Sequence, residues 1–440
     1  MSQSEESVLI SYTKNHQWIL LNMCLNHPTY YNFTDTDAHQ NTMLHILARE
    51  PLSDITSNLI SRLVKVIDIN TRNNEGKTPL HLSVIHKNLE TTQELIKHGA
   101  EVNLLNKYGH SALYYATLSG NIKMVQLLYN HQCNLSYKDK IGENVMHHAA
   151  RNGHKGLVMF FIQKGVDINE RNIWRLSPLE TAIISGNTDI ALVLIASGAK
   201  NFDKNDSKYE GYVCVLFKSI QMGDIKVTKA LIDDLSINMV DNEQRTALHW
   251  AVEGNHPKIV KLIIKKHVDI NKQDVDGYTA LHLAIQNGYL EILDILIENA
   301  QVKSKNPQET QDLPKEQQII DLDKLDYYKQ TNFGDNILHI LAAANLDAQI
   351  KMDVFYTLLK LNLKKLAVKA NRDFRTPLHF AYQKFCRPLA TALVNLGADI
   401  EEIDRFGKKP RDYCTLPDGG RIRIIKKESF TRRNVQNAVM

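Results

Sequence analysis

The sequence predicts an all-α solenoid, a stack of short helix-turn-helix units with a hairpin finger between successive units. A four-residue opening, clearest as Thr78-Pro79-Leu80-His81, recurs along most of the chain. The step between openings is 33 residues from 78 to 111, 144 and 177, and again from 246 to 279. Glycines keep phase with the openings. A unit of this size buries its apolar face only by stacking, so we expect about ten to twelve units in a curved, elongated superhelix.

Each element of the unit has a local reason in the sequence. Threonine caps a helix N-terminus and proline fits the first turn, so the opening predicts a short first helix. An interior glycine such as Gly120 reverses the chain, and apolar residues at helical spacing, such as Val125 and Leu128, predict a second helix. The openings are Thr42 to His45, Thr78 to His81, Ser111 to Tyr114, Asn144 to His147, Ser177 to Glu180, Thr246 to His249, Thr279 to His282, Asn336 to His339 and Thr376 to His379.

The period, the T-P-L-H opening and closing segments such as Gly165-Val166-Asp167-Ile168-Asn169 resemble the ankyrin repeat family. The resemblance implies a non-catalytic protein-binding scaffold that meets its partner through a concave face and finger loops. It also implies that the opening histidines form hydrogen bonds between neighbouring units. Asn103 is similar to the asparagines that are hydroxylated in ankyrin repeats of animal cells. The Lys-, Asn- and Ile-rich divergent repeats further resemble ankyrin effectors that intracellular bacteria deliver into the host cytosol.

Irregular steps set the expected domain bounds. The step from 279 to 336 is 57 residues, so an insert is expected there, and the finger before the unit near residue 214 is enlarged. The expected order is a divergent N-terminal capping repeat at 1–41, a main stack at 42–303 with a degenerate unit at about 202–245, an insert or linker at 304–332, a second stack with a C-terminal cap at 333–420, and a basic tail at 421–440. Whether the two stacks are continuous is left open.

Composition excludes several classes of protein. Lys plus Arg number 53 and Asp plus Glu 49, a net charge of +4 that requires no polyanionic partner. Five cysteines without CxxC spacing indicate a reducing compartment, with neither disulfides nor a zinc site. No secretory signal or membrane-spanning apolar run is apparent. We expect a cytoplasmic monomer, with delivery into a host cytosol as the alternative.

No motif points to catalysis. The chain has neither HExxH nor GxSxG, and Gly76-Lys77-Thr78 lacks the earlier glycine of a phosphate-binding loop because Thr71 stands in its place. Most histidines lie in openings, where the repeat explains them. We therefore predict a protein that is not an enzyme, with no cofactor and no small-molecule substrate.

The strongest functional signal is a run of apolar residues where other fingers are polar. Tyr108, Ile141 and Trp174 lie three places before successive openings, where other units have Glu75 or Asp276. Units stack in register, so these side chains should form an exposed strip, which is typical of a partner-binding site. The predicted site is Tyr108, His110, Leu118, Ile141, Glu143, Arg151, Ile173, Trp174, Leu176 and Ile184, with His110, Glu143 and Arg151 in a polar rim.

Three alternatives stay open at this point. The enlarged loop from Phe202 to Tyr212 could cover Trp174 within the chain. The degenerate unit and the insert could form an enzymatic or regulatory pocket around Tyr209, Tyr212 and Cys214. The basic tail could meet nucleic acid or an anionic membrane, although such clusters are usually solvated and we expect no such contact.

Overall fold

The computed structural model describes residues 7–199, 215–232, 237, 239–266, 268–302 and 325–414. The chain divides into two compact units, Met1–Lys200 and Asn201–Met440. Within the described residues the regular structure is helical and no β-strand is present, so the predicted all-α fold is confirmed. None of the described helices combines the length and the apolar character that crossing a membrane requires.

Over residues 7–199, the first compact unit has twelve α-helices in two layers. Odd-numbered helices pack on one another in chain order, and even-numbered helices form the second layer behind them. They are α1 (Val8–Lys14), α2 (Trp18–Cys24), α3 (Met43–Leu47), α4 (Asp54–Leu63), α5 (Pro79–Ile85), α6 (Leu89–Lys97), α7 (Ala112–Leu118), α8 (Ile122–Asn130), α9 (Val145–Arg151), α10 (Lys155–Gln163), α11 (Pro178–Ile184) and α12 (Thr188–Ala196).

The second compact unit repeats this two-layer arrangement. Its helices are α13 (Val215–Gln221), α14 (Ile225–Leu231), α15 (Ala247–Glu253), α16 (Pro257–Ile264), α17 (Ala280–Asn287), α18 (Leu290–Val302), α19 (Ile337–Ala343), α20 (Ala348–Leu358), α21 (Lys364–Ala367), α22 (Pro377–Gln383) and α23 (Arg387–Asn395). Helix α17 packs on α19 and α18 packs on α20. Helix stacking therefore continues from one side of residues 303–324 to the other, a point that the sequence left open.

The opening of each of these units starts a helix, and in six of them a histidine ties the helix to the next unit. At α5, the ring Nδ1 of His81 accepts the Thr78 backbone N–H at 3.1 Å. With Nδ1 acting as an acceptor, Nε2 carries the proton and donates to the His110 carbonyl of the next unit at 3.1 Å. The same bridge joins His45, His147, His249, His339 and His379 to the carbonyls of Lys77, Leu176, Tyr278, Arg375 and Lys408. The structural role expected of these histidines is confirmed.

These histidines are held neutral by their surroundings. Burial lowers the pKa of His45, His81 and His339 from 6.5 to about 4, although the carbonyl that each ring meets opposes the shift. Protonation of Nδ1 would also replace the acceptor of the capping hydrogen bond by an N–H, which would then face the backbone N–H of the cap residue. The native repeat therefore takes up fewer protons than the unfolded chain in mildly acidic solution.

We expect the free energy of unfolding to decrease as the pH falls from about 7.5 to about 5. Unfolded histidines gain protons below their ordinary pKa while the buried rings do not, so stability is complete above that pKa and declines toward the folded value. Each shifted histidine contributes up to about 1.4 kcal/mol per pKa unit. Urea denaturation of the full chain across this range measures the effect. A flat or rising stability on acidification would contradict it.

His282 is an exception among the bridging histidines. Its Nδ1 accepts the Thr279 backbone N–H at 3.1 Å, but its buried Nε2 makes no hydrogen bond of normal geometry. The Lys329 carbonyl of the next finger lies near enough to oppose the lowering of the His282 pKa by burial, without forming the bridge seen in other units. The unit that follows begins at Asn336, beyond residues 303–324. The longer connection thus preserves helix packing but loses the histidine bridge.

We predict that His282→Ala costs less stability than His249→Ala, by about 1 kcal/mol. Both substitutions remove a buried ring and its Nδ1 contact, but only His249→Ala also removes a bridge to the next unit, at 3.2 Å from the Tyr278 carbonyl. Urea midpoints of the two full-length variants provide the comparison. Equal losses would show that the bridge adds nothing measurable.

The fingers are tight turns held by a side chain. Asn73 Oδ1 accepts the N–H groups of Glu75 and Lys77 at 3.0 and 2.9 Å. Neighbouring fingers are joined by one backbone hydrogen bond, as from the Lys107 N–H to the Glu75 carbonyl at 3.0 Å. Equivalent bonds run from Asn74 to His39, Ile173 to Ile141, Val275 to Glu243, Asn332 to Asp276, Arg372 to Phe333 and Arg405 to Asp373.

Candidate functional site

The fingers that precede Ser111 and Asn144 are separated. Among the described residues, the bond expected from the Lys140 N–H to the Tyr108 carbonyl is not formed. The glycines show the same separation. A Cβ on Gly76 would lie 2.7 Å from the backbone nitrogen of the next finger, whereas a Cβ on Gly109 would first meet side-chain atoms of Tyr137 and Lys140 at 3.4 and 3.6 Å.

Tyr114 lies in the first turn of the helix between these two fingers. It occupies the position that holds the bridging histidine in most other units, and a phenol ring does not reproduce the imidazole bridge. Ser111 still caps α7 by accepting the Tyr114 N–H at 3.4 Å. The Tyr114 ring instead stacks on His110, with centroids 3.8 Å apart, and meets the edge of His148 at 4.8 Å.

A cleft of about 350 Å³ lies at this separated pair of fingers. Its apolar walls come from Tyr108, which is 56% exposed, and from the half-buried Leu118 and Ile141. The full lining is Tyr108, His110, Tyr114, Leu118, Asp139, Lys140, Ile141, Glu143, His148, Arg151 and Asn152. The structure therefore brings together one part of the predicted site, namely Tyr108, His110, Leu118, Ile141, Glu143 and Arg151.

The other predicted residues lie outside the lining of the cleft. Ile173 and Trp174 are 61% and 59% exposed, Ile184 is exposed and Leu176 is half-buried. The Ile173 N–H donates to the Ile141 carbonyl at 2.9 Å, so this finger adjoins the one that borders the cleft. The exposed apolar surface thus continues from the cleft to the next finger.

Glu143 has a different position from the predicted one. It was expected in a polar rim, but its side chain is fully buried, because three groups from other positions converge on it. Arg151 Nη1 and Nη2 both donate to its carboxylate, the first at 2.5 Å, and Asn172 Nδ2 donates at 3.0 Å. Burial raises the pKa of Glu143, but the bonds from Arg151 and Asn172 outweigh it, so the net pKa is lowered.

A second polar pair lies beside Glu143. His148 Nε2 is 3.1 Å from Asp139 Oδ2, and His148 Nδ1 is 3.5 Å from Glu143 Oε2. Burial lowers the pKa of His148 although both carboxylates oppose the shift. Asp139 Oδ1 also accepts the Ile141 and Glu143 N–H groups at 3.0 and 2.9 Å, which fixes the finger.

Among the residues that the structure describes, Asp139, Glu143 and His148 could hold a metal ion, since they offer ligand atoms within 4.8 Å of one another. Their atoms already have partners. The Glu143 carboxylate is paired with the Arg151 cation, which would oppose a second positive charge. The geometry therefore favours a hydrogen-bonded network that supports the finger.

The environment of Cys133 bears on whether its thiol could act as a nucleophile. Cys133 is buried, and burial raises the pKa of its thiol to about 12. Such a thiol is protonated at neutral pH and is a poor nucleophile. The pocket suggested around Tyr209, Tyr212 and Cys214, the loop from Phe202 and the basic tail lie outside the described residues.

Sequence reasoning missed several residues that line the cleft, namely Tyr114, Asp139, Lys140, His148 and Asn152. Tyr114 had a visible signal, because it breaks the histidine pattern of the openings. Sequence reasoning also missed apolar fingers in the second compact unit, where Phe333 and Phe406 are 63% and 59% exposed. Those fingers keep their backbone hydrogen bonds to neighbouring fingers.

Stacked helix pairs, capped openings and bonded fingers define a helix-turn-helix repeat protein. A family model described as ankyrin repeats (3 copies) matches residues 44–139, 129–206 and 216–306, together more than half of the chain. The chain belongs to the ankyrin repeat family, and the resemblance drawn from its openings is confirmed. Ankyrin repeats are in general protein-interaction modules.

Two relatives match shorter parts of the chain. An ankyrin repeat protein of Fowlpox virus (strain NVSL) is 31% identical over 111 residues, which cover 25% of this chain and 74% of the viral protein. Alpha-latrocrustotoxin-Lt1a of Latrodectus tredecimguttatus is 30% identical over 117 residues, which cover 26% of this chain and 8% of the toxin. The similarity to the toxin therefore concerns a small part of that protein.

We predict that Glu143→Gln lowers the free energy of unfolding by about 1–3 kcal/mol. Glutamine replaces one of the two acceptor oxygens by an NH2 donor, so the bidentate pairing with Arg151 is lost and the charge of Arg151 loses its partner. Because Arg151 is partly exposed, the loss should fall below that of a fully buried ion pair. Urea denaturation measures it, with Glu75→Gln as the control at an exposed finger carboxylate. A loss no larger than the control's would contradict the role of the network.

Proposed function

We propose that this protein is a non-catalytic scaffold that binds a partner protein through the cleft and a finger strip composed of Tyr108, Ile141, Ile173 and Trp174. The observation that carries the proposal is the coincidence of two features. Apolar side chains are accessible on three successive fingers, and the first two of those fingers border a cleft of about 350 Å³. The general role of the family as an interaction module supports the same function.

The physical argument rests on exposed apolar area. Tyr108 and Trp174 each keep more than half of their surface in water. Burying such rings against a partner releases about 25 cal/mol for each Å² of apolar surface. Tyrosine and tryptophan are also the residue types that most often dominate binding energy at protein interfaces. A partner that covers this strip would therefore gain more than one that covers the polar fingers.

The polar groups around the strip support a specific orientation. Arg151 is 40% exposed in its side chain and is held by Glu143, so its remaining N–H groups are available in a fixed direction. His110 is held by stacking on Tyr114. An apolar centre beside preorganised polar groups is the common anatomy of a protein interface.

The cytoplasmic location, the monomeric state and the alternative of an effector delivered into a host cell stay predictions from the sequence. The same holds for a regulatory or enzymatic pocket at the degenerate unit. The two relatives come from a virus and a spider and cover about a quarter of this chain each. Both relatives support the assignment to ankyrin repeats, and the partner is to be identified by experiment.

We predict that the triple variant Tyr108→Ala, Ile141→Ala, Trp174→Ala loses a partner that the wild-type protein captures from lysate. Affinity capture with mass spectrometry identifies the partner, and binding of the purified partner is then measured. Each aromatic anchor should contribute at least about tenfold in affinity.

The matched control is Glu75→Ala, Glu243→Ala, Asp276→Ala, which changes the same finger position in other units. Both variants must keep the helical circular dichroism of the wild type. If the control loses the partner and the strip variant retains it, the proposed site is wrong.

A further inference from the structure

We propose that the second compact unit carries a separate docking surface for a short segment of a partner protein that combines acidic and apolar side chains. The surface consists of Phe333, Phe374 and Phe406 on three successive fingers, and it is named the phenylalanine surface below. It is independent of the finger strip, because the strip belongs to the first compact unit and these three rings belong to the second.

The three phenylalanine rings remain largely in water. Phe333, Phe374 and Phe406 are 63%, 63% and 59% exposed, so each is at least as accessible as Trp174 of the finger strip, which is 59% exposed. Burial of such rings is favourable in proportion to the apolar area removed from water. Apolar rings that stay exposed on adjoining loops are therefore typical of a surface that a partner covers.

Backbone hydrogen bonds keep the three fingers side by side. The Arg372 N–H donates to the Phe333 carbonyl, and the Arg405 N–H donates to the Asp373 carbonyl, both at 3.0 Å. The middle finger is also held from within, because Asn371 Oδ1 accepts the Asp373 N–H at 3.0 Å. The rings are thus carried by hydrogen-bonded turns that a partner would not have to order on binding.

Phe374 has a backbone conformation that its side chain disfavours. Its φ is +58°, in the left-handed region, which a bulky residue seldom adopts and which favours glycine. Six other fingers have a glycine at the corresponding position, two places before the opening, namely Gly76, Gly109, Gly142, Gly277, Gly334 and Gly407. Three others have a polar residue there, Gln40, Arg175 and Gln244. A residue with a strained backbone and an exposed ring is better explained by binding than by stability.

The charges around the rings indicate what the partner carries. Arg405 Nη1 pairs with Asp373 Oδ1 at 2.5 Å, so these two charges offset one another. Arg372 and Lys408 are exposed, and neither forms an ion pair with another described residue. Asp335, a further carboxylate of these fingers, is half-buried and accepts an amide N–H at 2.7 Å. A carboxylate beside the apolar side chains of the partner would therefore find two available cations.

A protein segment fits this surface better than a nucleic acid or a membrane. Affinity for nucleic acid depends on many phosphate contacts, and electrostatic membrane binding takes clusters of about four to eight basic residues. A protein interface needs only a few polar contacts around an apolar centre. The chain beyond residue 414 is an unsuitable occupant, because its charge has the same sign as that of Arg372 and Lys408. Its cations include Arg421, Arg423, Lys426, Lys427, Arg432 and Arg433.

The test uses the full chain and peptides of defined sequence. A random phage-displayed peptide library is selected on the wild-type protein with competition by the variant Phe333→Ser, Phe374→Gly, Phe406→Ser, which must keep the helical circular dichroism of the wild type. The enriched peptides are synthesised and their affinities are measured. We expect them to combine aspartate or glutamate with a bulky apolar residue and to lose binding to the variant. Enrichment of basic peptides, or of none that depends on the three rings, would overturn the proposal.

Phe374→Gly tests a single ring and separates binding from stability. Glycine suits the left-handed conformation, so the urea midpoint should stay the same or rise, while peptide affinity should fall at least about fivefold. Gln244→Gly makes the same backbone change at φ +58° in another finger and should leave the affinity unchanged. A lower urea midpoint with unchanged affinity for Phe374→Gly would show that the ring is structural and that the proposal is wrong.

Arg372→Gln tests the charge of the partner. Peptide affinity should fall about threefold at low salt, because an exposed ion pair is lost. The difference from the wild type should disappear at about 0.5 M salt, where such pairs are screened. An affinity that does not change in either condition would contradict the acidic character of the partner.

Further controls separate the phenylalanine surface from the finger strip and from other ligands. The variant Tyr108→Ala, Ile141→Ala, Trp174→Ala should bind the enriched peptides with unchanged affinity. If it loses them while the phenylalanine variant retains them, this inference is wrong and the proposed function stands. If the peptides bind as expected but no partner depends on the finger strip, the proposed function fails alone. If oligothymidylate or phosphatidylserine vesicles bind through the three rings and acidic peptides do not, the class of partner is wrong.

Discussion

The stack depends on two short-range bonds between neighbouring units, the histidine bridge and the backbone bond between fingers. Each repeat contacts only its neighbours, so these bonds fix the register of one unit on the next. His81 shows the arrangement clearly, because one neutral ring caps its own helix through Nδ1 and reaches the next finger through Nε2. A neutral ring is required, since a protonated Nδ1 could not accept the backbone N–H.

The candidate site is the place where this arrangement changes. Tyr114 replaces the bridging histidine, the two adjacent fingers lie apart, and a cleft lies there. The candidate site thus lies where one opening departs from the histidine pattern of the repeat. The buried network of Glu143 with Arg151 and Asn172 supports the second finger in place of the missing bonds. The site keeps fixed turns on both sides although the backbone hydrogen bond between them is absent, and Lys140 Nζ joins the two fingers by donating to the Lys107 carbonyl at 3.2 Å.

The sequence predicted the parts of the fold that are decided locally. Helix starts at residues such as Thr78 follow from capping, and the period follows from the size of one unit. Tyr108 and Ile141 were predicted near one another because register places equal finger positions side by side. The burial of Glu143 was not predictable in the same way, because it depends on Arg151 from the following helix and Asn172 from the next finger. Tyr114 visibly breaks the histidine pattern of the openings, but the sequence could not show how the two adjacent fingers lie relative to one another.

Helices α17 and α18 pack on α19 and α20 across residues 303–324, and the Asn332 N–H still reaches the Asp276 carbonyl. Only the bridge from His282 is missing there. An interface between units is therefore specified by the residues that meet in it and not by the length of chain that joins them. A connection much longer than that between other units is therefore compatible with unbroken helix stacking.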